Sequence, residues 1–397
     1  MRVLVSTRSL AKPPTGIGHY TAETVRALRQ LPGLQVREFP ARWVRPLARY
    51  RERHLDWWLG ALQPPPPGLS GQRVTHSLVS RLERFFLRQH SKQSWFTPAR
   101  NDVYLEPNHE LMPTSLPTVV VVYDLSVLRF PQWHPEGRVA HHRAFFETLA
   151  ERGQSLTVVT ISEAIRQEAI QSLGLPPDRV ITGCCAPRTL MRPGLPSADA
   201  PQMARLGLTP GYFLHVGTLE PRKNLALLVR AWSGLDSAIR LAHPLVLAGG
   251  QGWGDEAFQD ALRQAPAGIH HLGYVDEADI PALYRCALSL VMPTHYEGFG
   301  MPVIEMRAVG GAVLTSLDPA VREIAGDDTP GIAADDQAGW TAALDRAAAD
   351  DNWLAPQRSA GPAWAGRFTW RRGAEAVRDA CRVAIVGTSA RSGPVAA

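Results

Sequence analysis

Glu297-Gly298-Phe299-Gly300-Met301-Pro302-Val303-Ile304-Glu305 stands behind an apolar strand pattern over 288–292 and opens a helical one. Pro302 suits a first helical turn. Strand, glycine-flanked loop and helix in that order make one βα unit of a parallel sheet, where ligands gather at the carboxyl ends of the strands. The two carboxylates lie 8 positions apart. Along a helix that is roughly 12 Å. A retaining glycosidase needs about 5–5.5 Å between its carboxyls and an inverting one about 6.5–9.5 Å, so a hydrolytic pair would require the chain to fold back. The better use is two separate contacts to a long polar ligand, one acid on sugar hydroxyls and the other on ribose hydroxyls. Backbone N–H groups between them would face phosphate or sugar oxygens.

Outward from this unit the alternation continues. The second half offers strands over 212–216, 244–248 and 312–315, and a helix with Leu225, Leu228, Val229, Trp232 and Leu235 on one face. The first half offers strands over 3–6, 118–123 and 155–161, a helix over 17–31, and another opened by Ser162 with Glu163 behind it. The stretch 190–208 carries Pro193, Gly194, Pro196, Ser197 and Pro201 and reads as a linker. The expected fold class is α/β, with two Rossmann-like domains over 1–195 and 196–369. A final helix is expected over 370–388, before a disordered tail over 389–397. No internal sequence repeat is visible.

Composition agrees with this reading. A chain of 397 residues with 45% hydrophobic and 20% charged residues can build two cores and is not a disordered chain. No run of about 20 apolar residues could span a bilayer, and the apolar run at Val3 to Val5 is too short for a signal peptide. Four cysteines without a CxxC pair do not make a disulfide framework. The expectation is a soluble, cytoplasmic protein.

The net charge is only +5, but the segment 42–100 holds ten Arg and one Lys against Glu52, Asp56 and Glu83. Trp43, Tyr50, Trp57, Trp58, Phe85, Phe86, Trp95 and Phe96 interleave with it. Two readings stand: an anionic membrane surface, on the inner face of the cytoplasmic membrane, or a core-facing apolar stripe with a solvated basic edge. No nucleic-acid motif accompanies the charge, so nucleic acid is not expected as a partner. Pro64-Pro65-Pro66-Pro67-Gly68 reads as a stiff surface loop.

Two further segments carry chemistry. Pro13-Pro14-Thr15-Gly16-Ile17-Gly18-His19-Tyr20 joins the first strand to the first helix, where Gly16 and Gly18 permit close backbone approach and a helix start favours an anion. Thr21 stands where a dinucleotide fingerprint would need its third glycine, and Gly249, Gly250, Gly252 and Gly254 also miss that spacing. Glu220-Pro221-Arg222-Lys223-Asn224 sets two cations behind a strand. They suit a diphosphate, Arg222 as a fork and Lys223 as a point charge. His141-His142 and His270-His271 are adjacent, not four apart, and no H-E-x-x-H or G-x-S-x-G occurs. Cys184 and Cys185 read as buried small residues, not a redox pair.

Together these motifs resemble glycosyltransferase family four, retaining enzymes of the GT-B fold, over most of the chain, and the resemblance implies that the final helix over 370–388 returns to the first domain. The likeness rests on Gly16-Ile17-Gly18, Gly217-Thr218-Leu219-Glu220-Pro221-Arg222-Lys223-Asn224 and the pair Glu297 and Glu305. Further likeness lies in Tyr123-Asp124-Leu125-Ser126, Phe130-Pro131-Gln132-Trp133-His134-Pro135 and Leu283-Tyr284-Arg285-Cys286-Ala287. The nearest branch is that of bacterial surface-polysaccharide mannosyl- and rhamnosyltransferases.

The resemblance implies that Arg222 and Lys223 neutralise the departing nucleoside diphosphate, Glu305 binds ribose and Glu297 the donor sugar. It also implies that Gly298, Phe299 and Gly300 offer backbone contacts, that Gly16, Gly18 and Gly217 lie along the phosphates and acceptor, and that Asp124 belongs to the catalytic set. It implies a nucleotide-sugar donor, GDP-mannose first, a lipid-linked or growing glycan as acceptor, and no metal or other cofactor. Two departures stand out. Tyr123 replaces the family's histidine before Asp124, and Thr182-Gly183-Cys184-Cys185-Ala186-Pro187 replaces its proline-asparagine-glycine turn. Two rivals are a nucleotide-sugar epimerase of the same fold and a catalytically silent nucleotide-sugar-binding protein.

Overall fold

The computed structural model describes residues 1–11, 16–39, 102–111, 114–253 and 256–389. Pro13 to Thr15, the basic aromatic segment 42–100 with its polyproline loop, Gly254 and the tail beyond Ser389 lie outside the described residues.

The first half contains β1 (Arg2–Ser6), α1 (Gly16–Leu28), β2 (Gln35–Phe39), β3 (Asp102–Glu106), β4 (Thr118–Val122), α2 (Ser126–Arg129), α3 (Glu136–Glu151), β5 (Leu156–Thr160), α4 (Glu163–Leu173) and β6 (Val180–Thr182). Its strands form one parallel sheet in the order β2-β1-β3-β4-β5-β6. Every residue of β4 and β5 is buried, as in a parallel sheet covered by helices on both faces.

The second half contains α5 (Pro196–Arg205), β7 (Tyr212–Val216), α6 (Leu225–Ser233), α7 (Ser237–Ala242), β8 (Leu245–Ala248), α8 (Glu256–Gln264), β9 (Ile269–Gly273), α9 (Ile280–Arg285) and β10 (Ala287–Met292). It continues with α10 (Met301–Ala308), β11 (Val313–Ser316), α11 (Pro319–Ala325), β12 (Gly331–Ile332), α12 (Gln337–Ala349) and α13 (Asp351–Ala365). The sheet is again parallel, in the order β12-β11-β10-β7-β8-β9. The chain reverses its winding between β7 and β10, and in open α/β sheets such a switch point opens the ligand crevice. The loops that follow these two strands carry Arg222, Lys223 and Glu297.

The last helix, α14 (Trp370–Ser389), leaves the second half and packs on α1 and on β3, β4, β5 and β6 of the first. Gly373 is where it passes the crossing segment, residues 183–195 between β6 and α5, for a Cβ there would lie 2.6 Å from the carbonyl of Cys184. One continuous buried cluster joins Val3, Val103 and Val121 of the first sheet, Cys185 and Met191 of the crossing segment, and Leu214, Leu290 and Met306 of the second half.

The supposed linker over 190–208 is a correction, because it contains the helix α5. Pro196 stands at its first position, where the missing N–H costs nothing. Asp199 receives both Nε (2.5 Å) and Nη2 (2.8 Å) of Arg285, which anchors the helix against α9 and offsets Pro201 in its interior. The helix expected over 17–31 closes at Leu28. The strands that pattern reading passed over include β3 and all four sheet edges, β2 and β6 of the first sheet and β9 and β12 of the second.

Candidate functional site

β7 ends at Val216 and hands the chain to Gly217, whose φ of 151° only glycine holds without strain. A Cβ at Gly249, the equivalent position after β8, would lie 1.9 Å from Gly217 O, and one at Gly252 would lie 2.2 Å from Leu219 O. The glycines over 249–252 thus let two strand-end loops pack backbone to backbone. The turn Pro221–Lys223 follows, and Asn224 in the left-handed region (φ 57°) redirects the chain into α6. Asn224 donates to Pro293 O (3.1 Å) and Ala334 O (2.6 Å), which ties this loop to the one after β10. His295 N and Thr294 Oγ1 complete the tie by donating to Arg222 O at 2.8 and 2.9 Å.

Arg222, Lys223 and Glu297 meet in the crevice so formed. Arg222 Nη1 donates to Glu297 Oε2 at 2.6 Å and to Tyr296 O at 3.1 Å, and its Nη2 lies 2.6 Å from Glu220 Oε1. Lys223 Nζ pairs with Glu297 Oε1, which also accepts from Thr294 Oγ1 at 3.3 Å. Both Lys223 and Glu297 are buried, at 5% and 6% exposure, so the pairing is what keeps these charges tolerable. Burial alone would raise the Glu297 carboxyl, but Arg222 and Lys223 outweigh it and hold it at about 2. Burial likewise disfavours charge on Arg222, yet Glu297, Glu220 and Asp124 raise it above its usual value. Lys223 goes the other way, lowered by burial and by Arg222.

The first half reaches the same crevice through Asp124, at the end of β4. Its Oδ1 accepts from Ser126 N (2.9 Å) and Ser126 Oγ (2.7 Å). Burial would raise this carboxyl, but Arg222 and the Ser126 hydrogen bonds lower it, so it stays ionised facing Arg222. Gly298 is the point of closest approach: a Cβ there would lie 2.0 Å from Tyr123 O. Ser162 Oγ donates to Gly298 O at 2.7 Å while capping α4, and Leu125 N donates to the Tyr296 hydroxyl at 2.9 Å. Glu323 of α11 accepts Glu163 N and Ala164 N, both at 3.0 Å, at the start of α4. A carboxylate is well placed at a helix N-terminus.

Glu305 occupies a second chamber. It is 1% exposed, accepts the Tyr284 hydroxyl on Oε2 at 3.1 Å, and has Arg188 Nε 3.1 Å from Oε1, at ion-pair distance but off the line of a hydrogen bond. Burial raises its pKa, against the pull of Arg188 and Tyr284. Glu297 and Glu305 share no partner, as their spacing suggested. Arg188 also lines a cleft of about 540 Å³ with Gly18, His19, Glu23, Glu277 and Ile280, where the start of α1 faces the second half.

The residues expected from sequence therefore fall into two groups. Arg222, Lys223, Glu297 and Asp124 converge, with Gly217 beside Lys223 and Gly298 beside Asp124. Gly18 and Glu305 belong to the Arg188 cleft, while Gly16 is an exposed helix start with nothing near its Cβ position. Phe299 turns its ring into the core against Phe368 at 5.9 Å, so only its backbone is available, and Gly300 (φ 93°) starts α10. Cys184 is half-buried and Cys185 buried, both as free thiols. Among the described residues no group of three His, Cys, Asp or Glu side chains is arranged to hold a metal ion.

Sequence reading missed Arg188, a lone cation in a loop with no pattern around it. It also missed the roles of Tyr284 and Tyr296, and the bond from Ser162, read only as a helix start, to Gly298 O.

Comparison with known proteins agrees with the architecture. Residues 200–358, in the second half, match the family model described as "Glycosyl transferases group 1". O-antigen chain mannosyltransferase B of Escherichia coli is 28% identical over 387 residues, 93% of this chain and 96% of that protein. The serotype-specific mannosyltransferase WbdA of Escherichia coli is 26% identical over 234 residues, 57% of this chain and 28% of that much longer protein. Among solved structures, HepE of Anabaena in complex with UDP and glucose superposes with a TM-score of 0.68 at 14% identity, over 96% of this chain and 98% of that one. WaaG, a glycosyltransferase involved in lipopolysaccharide biosynthesis, superposes with a TM-score of 0.65 at 14% identity, over 96% and 99%. The fold is GT-B: two parallel six-stranded sheets with helices.

Proposed function

We propose that the protein is a retaining glycosyltransferase of family four. In this reading it moves a sugar, mannose first, from a nucleoside diphosphate sugar to a hydroxyl of a lipid-linked or growing glycan during surface-polysaccharide synthesis. One observation carries it: the doublet of half-buried Arg222 and buried Lys223 at the β7–β10 switch point, opposite Asp124 of the other half. The mannosyl preference and the polysaccharide context are supported by the names of the relatives. GDP-mannose is therefore the first donor to try.

Charge decides how such a site would work. Arg222 and Lys223 face three carboxylates, Glu297, Glu220 and Asp124, so both cations are already engaged before a ligand enters. A diphosphate would take over the two cations, and Glu297, displaced from them, would accept hydroxyls of the sugar. As the bond from the anomeric carbon to the phosphate oxygen breaks, its electron pair leaves with the diphosphate. Arg222 and Lys223 stabilise that charge in a dry site, where electrostatic contacts count most. The acceptor oxygen bonds to the anomeric carbon on the same face, through an oxocarbenium-like state, and its proton passes to the departing phosphate oxygen. In this reading the two cations take the part of a metal, and no cofactor is needed. Glu305 and Tyr284 hold the ribose once Arg188 releases the acid, and backbone N–H groups from Gly298 to Gly300 meet the sugar.

An anionic membrane surface and a cytoplasmic location complete the proposal. They rest on the basic segment 42–100, which lies outside the described residues. No helix among the described residues is long and apolar enough to cross a membrane. The test is a panel of nucleotide sugars, first by thermal shift and then by transfer to lipid-linked glycans. Stabilisation by one donor together with product formation is expected. A purified, folded chain that neither binds nor turns over any of them refutes the reading. Donor conversion without any acceptor would identify an epimerase instead.

A further inference from the structure

His134 ends the short turn Pro131–Trp133, its backbone N–H donating to Pro131 O at 3.0 Å. The residue is only 9% exposed, and neither Nδ1 nor Nε2 has a hydrogen-bond partner. A neutral imidazole offers one donor and one acceptor, and buried polar groups nearly always find partners. Two orphan nitrogens on one buried ring mark a group shaped to meet a ligand.

The ring is held in place from both halves. Trp133, the residue before it, stacks on Phe130 at 4.1 Å and on His295 at 5.7 Å, and its carbonyl accepts Trp253 Nε1 at 2.5 Å. The Trp253 ring lies 6.0 Å from that of His134 and carries the Arg138 guanidinium 4.8 Å from its centre. The charged groups facing His134 are Arg138 from α3, Asp124 from the end of β4, and Glu220 and Arg222 from the loop after β7. Burial, then Arg138, lowers its pKa, so the ring is neutral near pH 7. Tyr123, beside Asp124, gives its hydroxyl to Pro107 O at 2.7 Å. His109 shares Nδ1 with His142 at 3.2 Å.

We propose that His134 is a substrate-contacting residue of the cleft, one ring nitrogen donating to, and the other accepting from, hydroxyls of the transferred sugar beside Arg222. The chemistry selects the sugar over the diphosphate. A hydroxyl both donates and accepts, as this ring does, whereas a phosphate oxygen only accepts and has Arg222 and Lys223 to serve it. The inference rests on the nucleotide-sugar reading above and adds a residue to it.

The test is isothermal calorimetry on the full chain with two matched pairs, GDP-mannose with GDP and UDP-glucose with UDP. His134→Phe keeps the ring shape against Trp253 and removes both nitrogens; His134→Ala repeats the comparison should the Phe variant misfold. The expected result is a loss of at least about ten-fold for the nucleotide sugar, the combined worth of two hydrogen bonds, with the free nucleotide changed less than two-fold. His134→Asn, which can still donate and accept, should recover part of the loss. An equal loss for sugar and nucleotide, or no loss for either, overturns the role of His134 alone. A wild-type protein that binds neither pair overturns the nucleotide-sugar reading and this inference with it.

Discussion

Replacing Glu297 by Gln removes one charge from a buried cluster and should do two opposite things. The folded protein holds this carboxyl at about 2 against an ordinary value of 4.5, although burial pushes it upward, because Arg222 and Lys223 outweigh burial. At roughly 1.4 kcal/mol per pKa unit, that is about 3 kcal/mol of stability. Removing one partner of a buried ion pair costs about 3–5 kcal/mol by a separate route, so the two agree. For a half of this size, each kcal/mol moves Tm by about 2–4 °C, and a fall of roughly 6–12 °C is expected by thermal scan at pH 7. A depressed carboxylate pKa brings stability that is complete above 4.5 and lost as pH falls toward 2. The gap between wild type and variant should therefore hold from pH 8 to 5 and close in stronger acid. Binding should move the other way. With Glu297 neutral, Arg222 and Lys223 are freer to meet a diphosphate, so GDP should bind more tightly while transfer slows. Equal Tm values at pH 7, a gap that persists unchanged at pH 3, or weaker GDP binding would each refute this reasoning.

Arg188→Ala leaves Glu305 buried without its cation, holding the Tyr284 hydroxyl and the backbone N–H of residue 188. A loss of about 2 kcal/mol is expected in urea unfolding. Because burial raises the folded pKa of Glu305, the loss should be larger at pH 8 than at pH 5. Burial pushes His109 down to about 4, so the unfolded chain takes up a proton below pH 6.5 that the folded one refuses. Its stabilising share is complete above 6.5 and lost toward pH 4, and His109→Phe should remove about 3 kcal/mol of that acid sensitivity. Gly298→Ala would drive a methyl to 2.0 Å from Tyr123 O. Overpacking of this kind costs about 1–3 kcal/mol, and transfer should fall at least ten-fold because the halves can no longer meet; unaltered kinetics would contradict the packing.

Much of this molecule is written in short-range pattern. Apolar runs such as 118–122 and 212–216 state a buried parallel strand outright, since every residue faces a covered surface. Pro302, Ser162 and Asn224 mark helix starts by their own chemistry. The candidate site was legible as residue types: a cation doublet behind one strand and two acids around the start of one helix. Edge strands and the helix α5 were not. β9 carries exposed histidines where an edge meets solvent, and α5 is held by Arg285, 86 residues from its partner Asp199.

What sequence alone determined is the set of ends: which segments form seven of the strands, and which charges stand just beyond them. Such patterns arise between neighbours a few residues apart, where side-chain periodicity and backbone preference act. Tertiary structure alone decided the pairings. Arg222 meets Glu297 across 75 positions because the order of the second sheet sets β10 against β7. Glu305 falls to Arg188 because the crossing segment passes α10, and Asp124 faces Arg222 because Gly298 lets the two halves close to backbone contact. Burial then turns those placements into chemistry: charges that water would screen at the surface are forced to answer one another in the dry crevice.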